Sequence, residues 1–271
     1  MSEVLYEKAG GYAVFTLNRP EVLNAMNTAL RERFADCMDD FNADPAMRVG
    51  IVTGAGRGFG TGADLKEAAS GNQGRGSARA ARARAGQFGR SSKVFIGAVN
   101  GPCIAGSFEW TLDMDIRICA PEAYFGLFEV KRGRLAGFGL ERLPRMIPFG
   151  EAMWILATGD RISAEQALRC GLVHEIVEHD RLVPRAIEIA EMILSNHPLA
   201  VEGARAIARH ALEKDAEDVG RLDRWVRRAV RRPEDVLEGS RAFAEKREAA
   251  FNDRDASAAG PRSPRGNAPP G

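Results

Sequence analysis

The sequence predicts an α/β protein in which buried strands alternate with helices, followed by a helical C-terminal region. Short runs that are almost wholly apolar indicate strands buried on both faces, as in a parallel sheet. These runs occupy residues 49–53, 94–99 and 116–120. Apolar residues also recur at helical spacing between positions 28 and 41, which predicts a helix with one face on a core. These residues are Leu30, Phe34, Met38 and Phe41. Strands and helices are therefore expected to form layers.

The chain opens with a predicted β-hairpin. Residues 4–6 and 12–17 have strand patterns and flank Gly10 and Gly11, a pair that suits a tight turn. A further strand is predicted at 124–127.

Beyond residue 148 the pattern becomes helical. Ser163 and Gln166 match a capping box, and Gly171 is placed to end the helix that follows. Further helices are predicted at 184–194, 199–212 and 240–251. Residues 255–271 are rich in Pro, Gly, Ser and Ala, so they are predicted to form a disordered tail.

Composition excludes several classes of protein. The 38 Lys and Arg against 37 Asp and Glu leave no overall field to attract nucleic acid or an anionic membrane. The four cysteines form no C-x-x-C unit, which argues against a zinc or redox motif and fits a reducing compartment. There is no signal-peptide pattern, and no apolar run approaches the roughly 18 residues of a membrane span. We therefore expect a cytoplasmic protein without metal or membrane partner.

Residues 70–92 are rich in Gly, Ser, Arg and Ala but have almost no large apolar side chain. This composition predicts an exposed helix, which is either a solvated surface segment or an arginine-bearing flap over an anionic ligand. A remote alternative is a non-catalytic protein that binds RNA through arginines 75–90. That segment offers only Phe88 for stacking on bases.

Three glycine-rich loops follow apolar strands, at 54–66, 100–109 and 125–139. The first resembles a dinucleotide fingerprint, but the third glycine of G-x-G-x-x-G is replaced by Phe59. The second and third loops each hold one glutamate among apolar and glycine neighbours, Glu109 and Glu129. A carboxylate in such surroundings is either structural or has a pKa raised for proton transfer. No histidine lies beside a nucleophile, and no G-x-S-x-G elbow occurs.

Six motifs occur in the order found in the crotonase superfamily, the enoyl-CoA hydratase/isomerase family, and the match spans about residues 3–253. They are NRPEVLNAMN at 18–27, GTGADLK at 60–66, AVNG at 98–101, GSFE at 106–109, FGLFEVKRG at 125–133 and AFAEKR at 242–247. The chain resembles that family. The resemblance implies a spiral core of ββα repeats over residues 1–200 and a helical oligomerisation or lid region over 201–254.

By resemblance, the backbone N–H groups of Ala63 and Gly106 form an oxyanion hole for the thioester carbonyl. One preorganised donor of this kind is worth about 10²–10³ in rate. In hydratases of the family two glutamates hold the reacting water, and they match Glu109 and Glu129. Which is the acid and which the base stays open, because a coupled pair shares its titration. The other expected substrate contacts are Thr61, Asp64, Leu65, Lys66, Gly137, Phe138, Phe243 and Lys246.

The retained glutamate pair favours an enoyl-CoA hydratase that adds water across the 2,3 double bond. An enoyl-CoA isomerase using Glu129 alone and a specialised acyl-CoA dehydratase or lyase remain alternatives. The family implies no metal or redox cofactor, since coenzyme A enters as part of the substrate. In relatives a C-terminal helix from a neighbouring subunit closes the CoA site, and Phe243 and Lys246 match it. This implies a homotrimer or a dimer of trimers.

Several positions depart from the family pattern. The turn after Glu129 is one residue shorter and holds Phe138, and Ser107 replaces a usual glycine. Trp110 is larger than the residue usual at its position, and Phe128 differs from the residue usual at its position. With Phe108 and Phe138 they either line an aromatic acyl pocket or belong to the core. Lys66 and Arg19 are candidate ligands for the CoA phosphates.

Overall fold

A computed structural model describes residues 2–69, 87–212, 214, 216–230 and 233–251. The chain divides into two compact units, Met1–Ala190 and Glu191–Gly271. The predicted division at residue 200 stays a prediction. Most of the arginine-rich segment (70–86) and the predicted tail (255–271) lie outside the described residues, so their predictions are untested. In the described part of the chain, no helix is long and apolar enough to cross a membrane.

The first unit contains a six-stranded sheet in the order β1-β2-β3-β4-β6-β9. Its strands are β1 (Val4–Ala9), β2 (Tyr12–Leu17), β3 (Val49–Gly54), β4 (Val94–Val99), β6 (Ile116–Cys119) and β9 (Glu175–Ile176). Strands β1 and β2 form the predicted antiparallel hairpin, and every other neighbouring pair is parallel. The predicted α/β fold with mostly parallel pairing is confirmed.

A second, three-stranded sheet lies beside the glycine-rich loops. It contains β5 (Cys103–Ile104), β7 (Tyr124–Gly126) and β8 (Ile162–Ser163), in the order β5-β7-β8. Strands β5 and β7 are parallel, with Cys103 opposite Phe125 and Ile104 opposite Gly126. This register brings the ends of the second and third glycine-rich loops together.

Helix α1 (Thr28–Ala43) packs its apolar face on the sheet, as its spacing predicts. The Asn27 side chain caps the helix by accepting the Leu30 N–H at 2.8 Å. Phe34 and Phe41 are fully buried, and each ring lies 5.4 Å from that of Phe15 on β2. The core of the first unit therefore sits between α1 and the six-stranded sheet.

The other α-helices within the described ranges are α2 (Leu65–Ala69), α3 (Gly106–Asp113), α4 (Gly139–Arg142), α5 (Phe149–Thr158), α6 (Ala164–Arg169), α7 (Leu182–Leu194), α8 (Pro198–Ala211), α9 (Ala216–Val230) and α10 (Pro233–Glu245). The predicted capping box of Ser163 and Gln166 starts α6, and Gly171 follows its end with a φ of +78°.

The helix predicted at 240–251 is wrong in both bounds, because α10 begins at Pro233 and ends at Glu245. Lys246 takes a left-handed φ of +53°, which leaves the helical path. The Arg247 guanidinium then folds back to the Glu238 carboxylate at 2.6 Å. This ion pair lowers the pKa of Glu238 to about 2.

Candidate active site

A cavity of about 520 Å³ in the unit Met1–Ala190 brings together most of the residues expected at the site. Those that line it are Thr61, Ala63, Leu65, Gly106, Glu109, Glu129 and Gly137. They come from three glycine-rich loops that are far apart in the chain. The fold therefore brings together residues as far apart in the sequence as Thr61 and Gly137.

The loop that holds Ala63 is attached to Met26 as a short extended segment. Met26 N–H donates to the Gly62 carbonyl at 2.7 Å, and Asp64 N–H donates to the Met26 carbonyl at 3.1 Å. Hydrogen-bonding groups alternate in direction along an extended chain. The N–H of Ala63 therefore points away from Met26, and Ala63 lines the cavity.

Gly106 is the first residue of α3, where a helical N–H has no partner within its own helix. The preceding Ala105 has φ +52° and ψ −133°, an unusual conformation for a residue with a side chain. Its N–H donates to the Gly126 carbonyl at 2.9 Å, which holds this turn in place. A Cβ added to Gly62 would lie 3.1 Å from the Gly106 nitrogen, so the two loops are in contact.

Ser107 joins these loops directly. Its fully buried Oγ accepts the Gly62 N–H at 2.9 Å. Gly60 also lies against it, because a Cβ there would be 2.4 Å from the same Oγ. Sequence reasoning identified Ser107 only as a departure from the family pattern, and the partner that gives it a role is 45 residues away.

Glu109 projects from α3, and its carboxylate is held by the short turn that follows Glu129. Gly139 N–H donates to Oε1 at 3.0 Å. A Cβ at Gly137 would lie 3.3 Å from both carboxylate oxygens. Burial raises the pKa of Glu109, the charge of Glu129 raises it further, and the N–H groups of Gly139 and Gly137 oppose the shift. The carboxyl is thereby favoured in its protonated form.

Glu129 is the first residue of a 3-10 turn, Glu129–Arg132. Its Oε2 is buried and makes no hydrogen bond with any residue that the structure describes. Glu109 and Glu129 line the same cavity, and the charge of Glu129 contributes to the raised pKa of Glu109. One carboxylate is thus fixed by backbone donors, whereas the other keeps an oxygen without a protein donor.

Asp64, Lys66 and Phe138 are not among the cavity-lining residues. The Asp64 carboxylate accepts the Arg19 guanidinium at 2.9 Å and the N–H of Lys66 at 3.0 Å, and it thereby starts α2. The Arg19 ion pair is the main cause that lowers the pKa of Asp64. Arg19 itself also pairs with Glu3 at 3.0 Å, so both acidic groups occupy its guanidinium. Lys66 is exposed.

The four aromatic residues divide between cavity and core. Phe108 is fully buried and packs on Phe125, with ring centres 5.4 Å apart, and Phe138 packs against the core. Trp110 and Phe128 line the cavity. Two of the four residues therefore line the cavity, and the aromatic acyl pocket stays a prediction. Trp110 also belongs to the core, where its ring lies 4.7 Å from that of Phe34.

Phe243 and Lys246 lie in the unit Glu191–Gly271. Phe243 is 88% exposed and lines an apolar groove of about 930 Å³ within that unit. Lys246 follows the end of α10 and is exposed. Their expected contact with substrate stays a prediction.

Sequence reasoning missed three arginines that line the cavity, Arg31, Arg132 and Arg134. A signal was available for the last two, because they follow Glu129 by three and five residues and share its loop. Arg31 lies on the helix α1, and nothing in its local pattern distinguishes it from a surface residue.

Comparison with known proteins agrees with this geometry. A family model described as enoyl-CoA hydratase/isomerase matches residues 7–254. An (E)-benzylidenesuccinyl-CoA hydratase from Thauera aromatica is 37% identical over 254 residues, which cover 92% of this chain and 98% of that protein. A carnitinyl-CoA dehydratase from Salmonella enteritidis is 35% identical over 270 residues, which cover 94% and 100% of the two chains.

A solved structure, an enoyl-CoA hydratase from Mycobacterium marinum, is similar with a TM-score of 0.82 at 37% identity, covering 92% of this chain and 98% of that one. The predicted crotonase-like core is confirmed by this similarity. The family match extends over nearly the whole described chain, from the first hairpin to the end of α10. The chain therefore belongs to the enoyl-CoA hydratase/isomerase family and has the crotonase fold.

Proposed function

We propose that this protein is an enoyl-CoA hydratase that adds water reversibly across the 2,3 double bond of an enoyl-CoA thioester. The observation that carries the proposal is one cavity lined by two carboxylates, Glu109 and Glu129, together with Ala63 and Gly106. Hydration needs an oxyanion site and a pair of groups for proton transfer. This cavity offers candidates for both.

The thioester carbonyl would accept hydrogen bonds from the N–H groups of Ala63 and Gly106. Attack by water at C3 moves negative charge through the conjugated system onto the carbonyl oxygen. Donors already aimed at that oxygen stabilise the transition state without reorganisation. Two features keep the donors fixed, namely the Ser107 hydroxyl on Gly62 and the turn at Ala105.

The carboxyl pair would supply one base and one acid. Burial and the neighbouring charge of Glu129 raise the pKa of Glu109, which stabilises the protonated form that a general acid needs. One glutamate, as a carboxylate, takes a proton from water while the water oxygen bonds to C3. The other glutamate, as a carboxylic acid, gives its proton to C2. The double bond is consumed, and the elements of water are added.

The names of the relatives support the same class of reaction, since a hydratase and a dehydratase act on one carbon–oxygen bond in opposite directions. The proposed chemistry requires no metal or redox step, and coenzyme A is carried by the substrate. A homotrimer or a dimer of trimers, a cytoplasmic location and the absence of a nucleic-acid partner stay predictions.

The test is loss of the enoyl-thioester absorbance on crotonyl-CoA with wild type, Glu109→Gln and Glu129→Gln. Each amide keeps the shape of the side chain but cannot transfer the proton, so kcat should fall about 10²–10⁴-fold. Glu141→Gln, an exposed glutamate on α4 outside the cavity, is the matched control and should stay within about twofold of wild type.

A larger panel of enoyl-CoA substrates, including aryl and branched ones, separates a wrong substrate from a wrong reaction. Wild type that hydrates none of them, yet moves the double bond of a 3-enoyl-CoA, would overturn the proposal in favour of an isomerase. Retention of hydration in both glutamine variants would exclude the acid–base pair.

A further inference from the structure

The cavity wall that follows Glu129 is basic. Arg132 and Arg134 line the cavity and are exposed, and neither side chain forms a hydrogen bond or an ion pair with a residue that the structure describes. The neighbouring Lys131 differs from them because its side chain has partners. Its ammonium lies 3.8 Å from the Asp160 carboxylate and 5.8 Å from the centre of the Phe128 ring. The ammonium group of Lys131 is thus paired, whereas the two arginines that line the cavity have no such partner among the described residues.

The balance of charge in the cavity favours an anion. Among the residues that the structure describes, the ionisable side chains that line the cavity are those of Arg31, Arg132, Arg134, Glu109 and Glu129. A guanidinium stays protonated at any physiological pH, whereas the carboxyl pair in the proposed reaction holds one proton. A guanidinium also matches a carboxylate in shape and can donate two parallel hydrogen bonds to it.

The position of the two arginines places them near the reacting end of the substrate. Arg132 ends the 3-10 turn that Glu129 begins, and such a turn rises about 2.0 Å per residue, or about 6 Å over three residues. Leu135, which is 79% exposed, and Phe128 line the same wall. The wall therefore combines apolar surface with cations, the pattern that fits an apolar acyl chain bearing an acidic group.

We propose that Arg132 and Arg134 determine substrate specificity by binding a carboxylate carried on the acyl group of the enoyl-CoA. This inference rests on the proposed function. The rival source of negative charge is the coenzyme itself, whose phosphates present the same chemistry to a guanidinium. The two sources differ in one respect, because every CoA thioester carries the phosphates but only some carry an acyl carboxylate.

The experiment compares a 2-enoyl-CoA that ends in a carboxylate with its methyl ester, which has nearly the same shape and no charge. The quantity measured is the ratio of kcat/KM for the acid over the ester, in wild type, Arg132→Gln, Arg134→Gln and the double variant. Wild type should prefer the acid, and the double variant should lower the ratio about tenfold to a hundredfold. Lys131→Gln removes the same charge from the same turn and should change the ratio less than about threefold.

The other possible results also decide which group the arginines bind. A double variant that weakens acid and ester equally, and free CoA with them, would assign the arginines to the phosphates. A wild type that prefers the ester would exclude the acyl carboxylate. If no substrate is turned over, the proposed function fails, and calorimetric binding of the saturated acid and ester thioesters to the same variants still tests the arginines.

Discussion

The two walls of the cavity differ in how firmly they are held. Around the loops of Ala63 and Gly106, buried amides bind the backbone. Asn24 Nδ2 donates to the carbonyls of Ala55 and Gly58 at 3.0 and 2.7 Å. Asn100 Nδ2 donates to those of Gly54 and Gly56 at 2.9 and 2.8 Å. In the wall that follows Glu129, residues 131–135 are all exposed, and the described hydrogen bonds of their backbone stay within the turn.

This difference separates two tasks. An oxyanion site works because its donors need no reorganisation, so it requires a wall that cannot move. Selection of an acyl group requires side chains that can change without disturbing those donors. We infer that the first wall serves the chemistry and the second serves the choice of substrate. Pairs of matched substitutions, one in each wall, test this difference.

The largest difference is expected between two glycines that both have positive φ. Gly62 has φ +81°, and an added Cβ would lie 2.8 Å from the Ala105 Cβ and 3.1 Å from the Gly106 nitrogen. Gly133 has φ +65° and no atom within 4 Å of its added Cβ. Gly62→Ala should lower kcat on crotonyl-CoA about 10²–10³-fold by displacing the oxyanion donors.

Gly133→Ala carries the same backbone strain, about 1 kcal/mol, without the contact. Its kcat should change less than about threefold. Circular dichroism and thermal unfolding show whether both variants fold. Equal loss of kcat in the two variants would remove the distinction between the walls.

A smaller effect is expected at Ser107. Replacing it with alanine leaves the buried Gly62 N–H without an acceptor, which costs about 1–3 kcal/mol. Because that N–H precedes Ala63, kcat should fall about tenfold while KM changes less than about threefold. Ser107 acts through the backbone of its neighbour, so the split between kcat and KM is the informative measurement.

Thr111→Val is the matched control for Ser107→Ala. Thr111 is also buried on α3, and its hydroxyl donates to the Phe108 carbonyl at 2.8 Å, within the helix. Its replacement should lower stability without a comparable loss of kcat. If both variants lose kcat in proportion to stability, Ser107 has only a structural role.

Local patterns allowed much of the fold to be predicted. The hairpin, the helix α1 and the capping box are each determined by residues that lie close together in the sequence, so a local pattern is enough to predict them. The helix at 240–251 failed for the opposite reason. Residues with good helix propensity continue past Glu245, yet the helix ends there, and Arg247 forms an ion pair with Glu238.

The site required information that no local pattern holds. Phe108 and Trp110 are two residues apart on α3, so they point to different sides of the helix. Only the packing of α3 decides that Phe108 lies against Phe125, whereas Trp110 packs on Phe34 in the core and also lines the cavity. The pairing of Asp64 with Arg19 spans 45 residues. The Asp64 carboxylate forms this ion pair at the start of α2, and its contact with substrate stays a prediction.

The smallest predicted effect concerns the stability cost of the carboxyl pair. The pKa of Glu109 is raised in the folded protein, so the folded state binds the proton more tightly than the unfolded state. Stability is therefore expected to fall as pH rises from the ordinary glutamate pKa through the raised value.

Glu109→Gln has no proton to lose, so its melting temperature should exceed that of wild type at about pH 8 by roughly 1–4 °C. At about pH 5 the difference should be smaller, because it shrinks as the pH falls through the raised pKa of Glu109 towards the ordinary glutamate value. Thermal unfolding at both pH values, with Glu141→Gln as the exposed control, measures it. A variant less stable than wild type at about pH 8 would mean that Glu109 holds the Gly139 turn more than burial penalises it.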